Sequence, residues 1–335
     1  MNNPLVSICL PVYNCERYLV DTLNSLINQT YTNLEFIFVD DHSSDNSNKI
    51  ISDYITRDKR IQLYPNEGKG ACCARNLAYK KSKGVLIMFM DSDDIMPLNC
   101  IQDHVKIHLN NNCYPDLVSF STVTEFIDGE PIPTILNTKR SCIHHDETEG
   151  WKIVTQMWET GISSRCHCYL MNRKLVEKTG PWNENLIKNQ DGEFYERLLL
   201  NAGLIKFNEN TSAIYRYRPT GSLRGAATKE SAKSQFESYK SVIPLLLSKQ
   251  NSERVYKAIV NKIGWWIYME YPFNRPYIRE AKKLLKNLNQ KIIIPYNRPV
   301  FSLFRKIFGW RTALYIAKNP AVMKIYSFLN LNNKF

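Results

Sequence analysis

The chain of 335 residues has no run approaching the roughly 20 apolar residues that span a bilayer, which excludes a transmembrane helix as its organising feature. It lacks a charged start followed by a long apolar region; an apolar strand pattern begins by Leu5, which predicts a protein without a signal peptide. Its nine cysteines are odd in number, follow no framework spacing and include the neighbours Cys72 and Cys73, which excludes a disulfide scaffold and implies a reducing cytoplasm. Cys166-His167-Cys168 has no second ligand pair at zinc-site spacing, and the alternation from Ser164 to Met171 predicts a strand instead. His144-His145-Asp146 reads as a solvated polar loop. Acids are scarce at one end only. From Arg275 to Phe335 there are 13 Lys and Arg against a single acid, Glu280, so the whole net charge of +12 resides there and residues 1–274 balance at 31 basic and 31 acidic. A nucleic-acid-binding protein would have to use this tail on phosphates, and the neutral remainder, with its acidic turns, argues against one.

What is present is a repeated unit over the first hundred residues: a short apolar strand, a turn rich in polar residues, then an amphipathic helix. Val6 to Leu10 reads as a strand stopping at Pro11, followed by a helix over about 16–28. Leu34 to Val39 is a second strand, running into Asp40-Asp41-His42-Ser43-Ser44-Asp45, where Ser44 or Asp45 can cap a helix carrying Ile50, Ile51, Tyr54 and Ile55. Ile61 to Tyr64 leads through Asn66-Glu67-Gly68-Lys69-Gly70 to a helix over about 71–82. Leu86 to Phe89 then runs into Asp91-Ser92-Asp93-Asp94. Carboxylates at the tip of a buried strand are costly unless hydrogen-bonded or holding a cation. Asp91 and Asp93 point the same way along an extended chain, a donor set suited to a hard ion such as Mg²⁺ or Mn²⁺ with substrate phosphates. In a doubly wound sheet, ligands bind beyond the carboxyl ends of the strands. Pro11, Asp40 and Asp91 all fall there.

Taken together, Pro11-Val12-Tyr13-Asn14, Val39-Asp40-Asp41-His42-Ser43, Asn66-Glu67-Gly68 with Ala74-Arg75-Asn76, and Asp91-Ser92-Asp93 resemble, in order and spacing, the successive motifs of family 2 glycosyltransferases. The resemblance is specific over residues 4–100, fades through 101–225 and then disappears. It implies an α/β protein of GT-A fold, a Rossmann-like nucleotide-binding sheet flanked by helices, here with a C-terminal helical extension. It also implies transfer of a sugar from a nucleotide diphosphate donor with inversion at the anomeric carbon. Carried over, Asp40 or Asp41 hydrogen-bonds the base, Pro11 and Tyr13 shape that pocket, and Arg75 lies near it or the diphosphate. Asp91 lies near the donor ribose or sugar, and Asp93 ligates Mn²⁺ or Mg²⁺. Two departures stand out: Ala78 and His42 occupy positions where relatives commonly have glycine.

An inverting transfer needs one base. Asn189-Gln190-Asp191-Gly192-Glu193 resembles the family's Glu-Asp motif opening a helix, with Gln190 in the glutamate position, which makes Asp191 the candidate base. Upstream, Trp182 is a candidate to stack on an acceptor sugar or to sit partly buried in its loop. Tyr215 to Ser222 resembles a strand and loop closing the donor site, which makes Arg216, Arg218 and Arg224 candidate phosphate contacts. The expected organisation is a nucleotide-sugar-binding half over 1–100, an acceptor-binding and catalytic-base half over 101–228, and a helical region over 229–335. That region reads as helices Ser238–Leu247, Val255–Glu270 and Ile278–Leu288. The tail over about 298–330 alternates Phe304, Ile307, Phe308, Trp310 and Leu314 with Arg305, Lys306 and Arg311. It reads either as docking on the inner membrane face, where lipid-linked acceptors are found, or as a helix packed on the catalytic domain or on a second subunit of a homo-oligomer. The expected protein is therefore a cytoplasmic or peripheral metal-dependent sugar transferase, using a UDP-sugar to extend a lipopolysaccharide or capsule glycan. A nucleotidyltransferase finds no basic glycine-rich signature near the first strand, and the intact acidic motifs argue against an inactive sugar-nucleotide-binding partner.

Overall fold

The structure, a computed structural model, describes residues 3–127, 130–131, 141–163, 165–217, 228–294, 307 and 309–315. Its centre is a mixed sheet of eight strands in the order β3-β2-β1-β4-β7-β5-β6, with β8 beside β5. The strands are β1 (Val6–Val12), β2 (Leu34–Asp40), β3 (Ile61–Pro65), β4 (Leu86–Phe89), β5 (Leu117–Ile127), β6 (Glu130–Pro131), β7 (Tyr169–Asn172) and β8 (Leu204–Arg216). β1 lies parallel to β2 and β4, and β2 to β3. β7 inserts antiparallel between β4 and β5, and β5 runs parallel to β8. The sheet thus continues without a break from the donor-type half into the segment expected to hold the base.

Alternation along the strands sorts side chains into two cores. Val6, Ile8, Leu10 and Val12 join Phe36, Phe38 and Met88 on one face, whereas Cys9, Ile37, Val39, Ile87 and Phe89 face the other. The first face is covered by α1 (Glu16–Ile27), α2 (Ser47–Ile55) and α4 (Cys100–Asn110). The second carries α3 (Ala71–Lys81), α5 (Gly150–Thr160), α6 (Arg173–Thr179) and α7 (Gln190–Asn201), then the helical extension of α8 (Lys229–Lys249), α9 (Glu253–Glu270) and α10 (Arg275–Asn287). Each fully buried aliphatic side chain contributes about 1.5–3 kcal/mol. A one-residue slip of β1 would turn its aliphatic row to the wrong face, so register is set by this pattern.

The structure departs from the sequence reading in several places. β1 continues past Pro11 to Val12. The carbonyl of Cys9 accepts from Met90 on the β4 side, where β4 pairing ends at Phe89, so the alternating position of Pro11 lies past the end of the β4 ladder, where a residue without an N–H is tolerated. The segment read as a strand from Ser164 begins as a 3₁₀ turn, Cys166–Cys168, and only Tyr169 onward pairs. Every residue from Cys166 to Met171 is buried, so the pattern that read as a strand runs on through the turn. The loop read as solvated is tied to β8: Asp146 accepts from the Phe207 N–H at 2.9 Å and from Lys206 Nζ at 2.7 Å, and His144 stacks on Phe207. α8 starts nine residues earlier than expected, capped by the Thr228 hydroxyl accepting from the Ser231 N–H. The serine-rich first half of α8 showed no apolar period because its buried serines form hydrogen bonds.

His104 and His108, one turn apart on α4, are fully buried and face Ser119 Oγ at 2.8 Å and the Leu170 carbonyl at 3.2 Å. Burial pushes both down to about 3, so they fold neutral. Below the ordinary histidine value, near 6.5, the unfolded chain takes up protons that these rings refuse, and each costs at most about 1.4 kcal/mol per pH unit. Urea unfolding should therefore show stability falling by about 3–4 kcal/mol between pH 7 and pH 5 from this pair. The double variant His104→Gln/His108→Gln should lose most of that slope; an unchanged slope would assign it to other groups.

Candidate active site

The carboxyl ends of β1, β2 and β4 lie at one edge of the sheet. At the end of β2 the Asp40 carboxylate, 8% exposed, accepts from the Ser43 N–H at 3.2–3.3 Å and from Asn48 Nδ2 at 2.9 Å. Asp41, only half-buried, accepts from the Gly70 N–H at 2.9 Å and from Asn66 Nδ2 at 2.7 Å. His42 adopts φ +64°, a left-handed conformation that glycine takes readily, and its Nε2 lies 2.9 Å from the Gly68 carbonyl. The departure from glycine is therefore offset by a local hydrogen bond. Beyond β1, Tyr13 is 62% exposed. The loops after β1 and β2 are tied reciprocally: Ser44 N donates to Asn14 Oδ1, Glu16 N to Asp45, and Asn46 N to Glu16. Neither expected cap holds the N-cap position, which falls to Asn46 without a side-chain cap bond; Asp45, one residue earlier, accepts from Ser47 N, and Ser44 is used in the cross-tie.

Arg75, on α3, occupies the centre. Its side chain is 5% exposed, and Nη2 lies 2.7 Å from Asp91 Oδ1 and 3.8 Å from Asp191 Oδ1. Nη1 reaches Gln190 Oε1 at 3.4 Å, and the guanidinium sits 4.5 Å from the Trp182 ring centroid. Trp182 is 2% exposed and stacks on Phe194 at 4.2 Å with Phe89 edge-on at 5.2 Å. A ring covered in this way offers no face to a sugar, so Trp182 is a platform under Arg75, not an acceptor contact. Asp191 lies in the first turn of α7, where the helix dipole favours a carboxylate, and its side chain is 36% exposed to the crevice. Burial by the surrounding protein raises its pKa above the ordinary carboxyl value; Asp91 pushes in the same direction and Arg75 opposes.

The acidic turn after β4 brings carboxylate oxygens of Asp91, Asp93 and Asp94 within 4.8 Å of one another, an all-oxygen donor set that fits a hard divalent ion. Asp94 is fully buried and otherwise engaged: Oδ1 accepts from the Arg216 N–H at 2.9 Å, and Oδ2 lies 3.1 Å from His167 Nδ1. The other His167 nitrogen faces the Ile214 carbonyl at 3.2 Å. Burial lowers the pKa of this ring, but the Asp94 carboxylate outweighs it and raises the net value. Arg216 donates from Nε to the Asp93 carbonyl at 3.0 Å and pairs through Nη2 with Asp21 at 2.9 Å. The Arg216 side chain, 7% exposed, is thus committed to holding the acidic turn and does not project toward a phosphate. Arg218 and Arg224 lie outside the described residues.

The family model for glycosyl transferase family 2 matches residues 7–180, more than half of the chain. The chain belongs to glycosyltransferase family 2. Among its sequence relatives, UDP-Glc:alpha-D-GlcNAc-diphosphoundecaprenol beta-1,3-glucosyltransferase WfgD of Escherichia coli is 42% identical over 113 residues, 33% of this chain and 44% of that protein. The chain spans about half the length of the curated relatives it matches, 33% to 56% for four of them. Among solved structures, S. aureus TarS 1–349 in complex with UDP-GlcNAc is 17% identical, covering 85% of this chain and 92% of that one at a TM-score of 0.58. The mannosyltransferase PcManGT of Pyrobaculum calidifontis, in complex with GDP-Man and Mn²⁺, is 14% identical, covering 98% and 88% at a TM-score of 0.57. At these identities the likeness is one of fold, and it is the expected GT-A arrangement.

The family match stops before Asp191, and sequence reading missed what holds that residue. Three serines on α8 at helical spacing, Ser234 and Ser238 buried and Ser241 exposed, hydrogen-bond α7 and the segment leading into it. Ile187 N and Lys188 N both donate to Ser234 Oγ at 2.9 Å, Asn189 Nδ2 donates to Ser238 Oγ at 2.7 Å, and Ser241 Oγ donates to Glu193 Oε1 at 3.1 Å. Asn189 sits at φ +59°, and a Cβ at Gly192 would come within 2.5 Å of its Oδ1. The i, i+4, i+7 spacing of Ser234, Ser238 and Ser241 was the available signal, though such serines equally suit a solvent face. Replacing Ser234 by Ala strands two backbone N–H groups, and Ser234→Ala should cost about 1–3 kcal/mol in urea unfolding. Ser248→Ala, on the exposed side of the same helix, should change stability by less than about 0.5 kcal/mol.

Proposed function

We propose that this chain is a metal-dependent inverting glycosyltransferase. It moves a sugar from a UDP-sugar to a glycan or lipid-linked acceptor in cell-surface polysaccharide synthesis, working at the inner face of the cell membrane. The observation that carries the reading is the placement of Asp191 and the acidic turn on either side of Arg75, with Arg75 2.7 Å from Asp91 and 3.8 Å from Asp191. A base and a diphosphate-side acidic cluster then share one crevice. The UDP-Glc donor in the name of WfgD and the UDP-GlcNAc complex of TarS support a uridine nucleotide; the diphosphoundecaprenol acceptor in the name of WfgD supports a lipid-linked one.

The reaction forms a bond from an acceptor hydroxyl oxygen to the anomeric carbon and breaks the bond from that carbon to the phosphate oxygen, whose electron pair leaves with the nucleotide diphosphate. Asp191 takes the hydroxyl proton as attack proceeds from the face opposite the diphosphate. Asp93, with Asp91 beside it, would hold Mn²⁺ or Mg²⁺, which when bound neutralises charge on the departing diphosphate. Arg75 fixes the two carboxylates against each other and keeps Asp191 from binding a proton too readily. At the base end, Asp41 accepts from the uracil imide N–H, using remaining acceptor capacity of its carboxylate; the more buried Asp40 holds the turn. Exposed Tyr13 and Pro11 form the wall of that pocket.

The first test is thermal stability with UDP, GDP, CDP and dTDP, each with and without Mn²⁺. UDP with Mn²⁺ at a hundredfold over its dissociation constant should stabilise the protein by about 2.7 kcal/mol, and Asp93→Ala should abolish the metal-dependent part. Absence of a shift with every nucleotide would remove the reading. Asp191→Asn should retain UDP binding and lower kcat by about 10²–10⁴-fold. Because the base works ionised and its pKa is raised, the acid limb of kcat/KM should lie above the ordinary carboxyl value, with rate increasing as pH rises. Arg75→Gln removes the opposing cation, so the limb should move to still higher pH.

A further inference from the structure

Three large exposed apolar side chains lie where α9 ends and α10 begins. Trp265 and Met269, one turn apart on α9, are 43% and 65% exposed, and Phe273 in the following turn is 84% exposed. Next to them lies the described part of the tail. At 307 and over 309–315 the chain is helical, with Ala313 and Leu314 buried against the extension and Trp310 packed on Tyr271 at 5.6 Å. Ile307, Arg311 and Tyr315, spaced by four, are left facing outward, Ile307 at 62% and Tyr315 at 59% exposed. This part of the tail therefore packs on its own protein along one edge and presents the other.

The same region is cationic. The Trp310 ring has Lys282 Nζ at 4.6 Å and the Arg311 guanidinium at 5.8 Å. Neither cation pairs with a carboxylate among the described residues, and neither do Arg275, Arg279, Lys283 or Lys286 on α10, all exposed. Two cations thus share one indole with no carboxylate beside them among the described residues, a surface suited to an anion.

We infer that the α9–α10 turn together with the outward edge of the tail helix is a docking face for an anionic lipid bilayer. Phe273, Met269 and Ile307 enter the headgroup boundary, while Lys282, Arg311 and the α10 cations meet lipid phosphates. Charge decides between occupants. The surrounding segment from Arg275 to Phe335 carries 13 basic residues and one acid. A second copy joined about a two-fold axis would set this patch against itself, cation to cation. Strongly exposed Phe, Met and Ile suit an apolar boundary better than a phosphate backbone. The inference gives the transferase proposed above its location, but it needs no sugar donor and is tested without one.

Flotation of the full-length protein should be compared on vesicles of phosphatidylcholine alone and with about a third phosphatidylglycerol. The protein should float with the anionic vesicles only. Lys282→Glu/Arg311→Glu should weaken binding by about thirtyfold or more, at roughly a tenfold change per 1.4 kcal/mol. Phe273→Ser/Ile307→Ser should weaken it by at least about tenfold. Both variants should keep the UDP-dependent thermal shift of the parent, because neither touches the crevice. Failure of the parent to float, or flotation of both variants like the parent, would overturn the inference. So would concentration-dependent dimerisation that the variants abolish, or retention on RNA without vesicle binding. Loss of nucleotide binding in the parent alone would instead count against the transferase reading.

Discussion

Arg75 is a guanidinium taken almost wholly out of water, its side chain 5% exposed, and such a charge is tolerable only where carboxylates answer it. Asp91 comes from the turn after β4 and Asp191 from the start of α7, so the need to pair one cation draws together elements 100 residues apart in sequence. The stack of Arg75 on Trp182 and of Trp182 on Phe194 gives this electrostatic centre a rigid floor. Removing one partner of a fully buried pair costs about 3–5 kcal/mol; here it costs less, because both carboxylates also face the crevice.

A second clamp lies behind the first. Asp94, His167 and Arg216 come from three elements and fix the acidic turn from its buried side, with Thr22 Oγ1 lying 3.0 and 2.8 Å from the Ser92 and Asp94 carbonyls. The turn's exposed carboxylates therefore sit on a backbone that cannot easily yield when a highly charged ligand approaches. Division of labour between adjacent residues follows: Asp93 faces the crevice side while Asp94 anchors, and Asp41 is accessible while Asp40 is spent on its own turn.

The donor half was legible in the sequence because its signals are local. Strand alternation, caps and acidic strand ends each lie within a few residues, and β1 to β4 with α1 to α3 fall where those signals place them. What stayed hidden depends on contacts across the chain. Arg216 read as a phosphate contact until β8 brought it to Asp93 and Asp21, and Trp182 looked like a loop aromatic until α7 covered it. Cys166-His167-Cys168 mimicked a strand because both its faces are buried. The serines of α8 carry no apolar period, and their helical spacing suits a solvent face as well as a support for Asp191. Asp191 itself was visible only through its motif, and the family match ends short of it.

The continuity of the sheet has a consequence for how such a protein can change over evolutionary time. Because β7 pairs directly with β4, and because α3 and α7 meet through Arg75, the spacing between Asp191 and the acidic turn is held by elements that do not include the connection between β5 and α5. That connection can lengthen, shorten or be exchanged while this spacing stays set by the sheet. A lineage built on this plan can therefore vary one rim of the molecule without disturbing its centre.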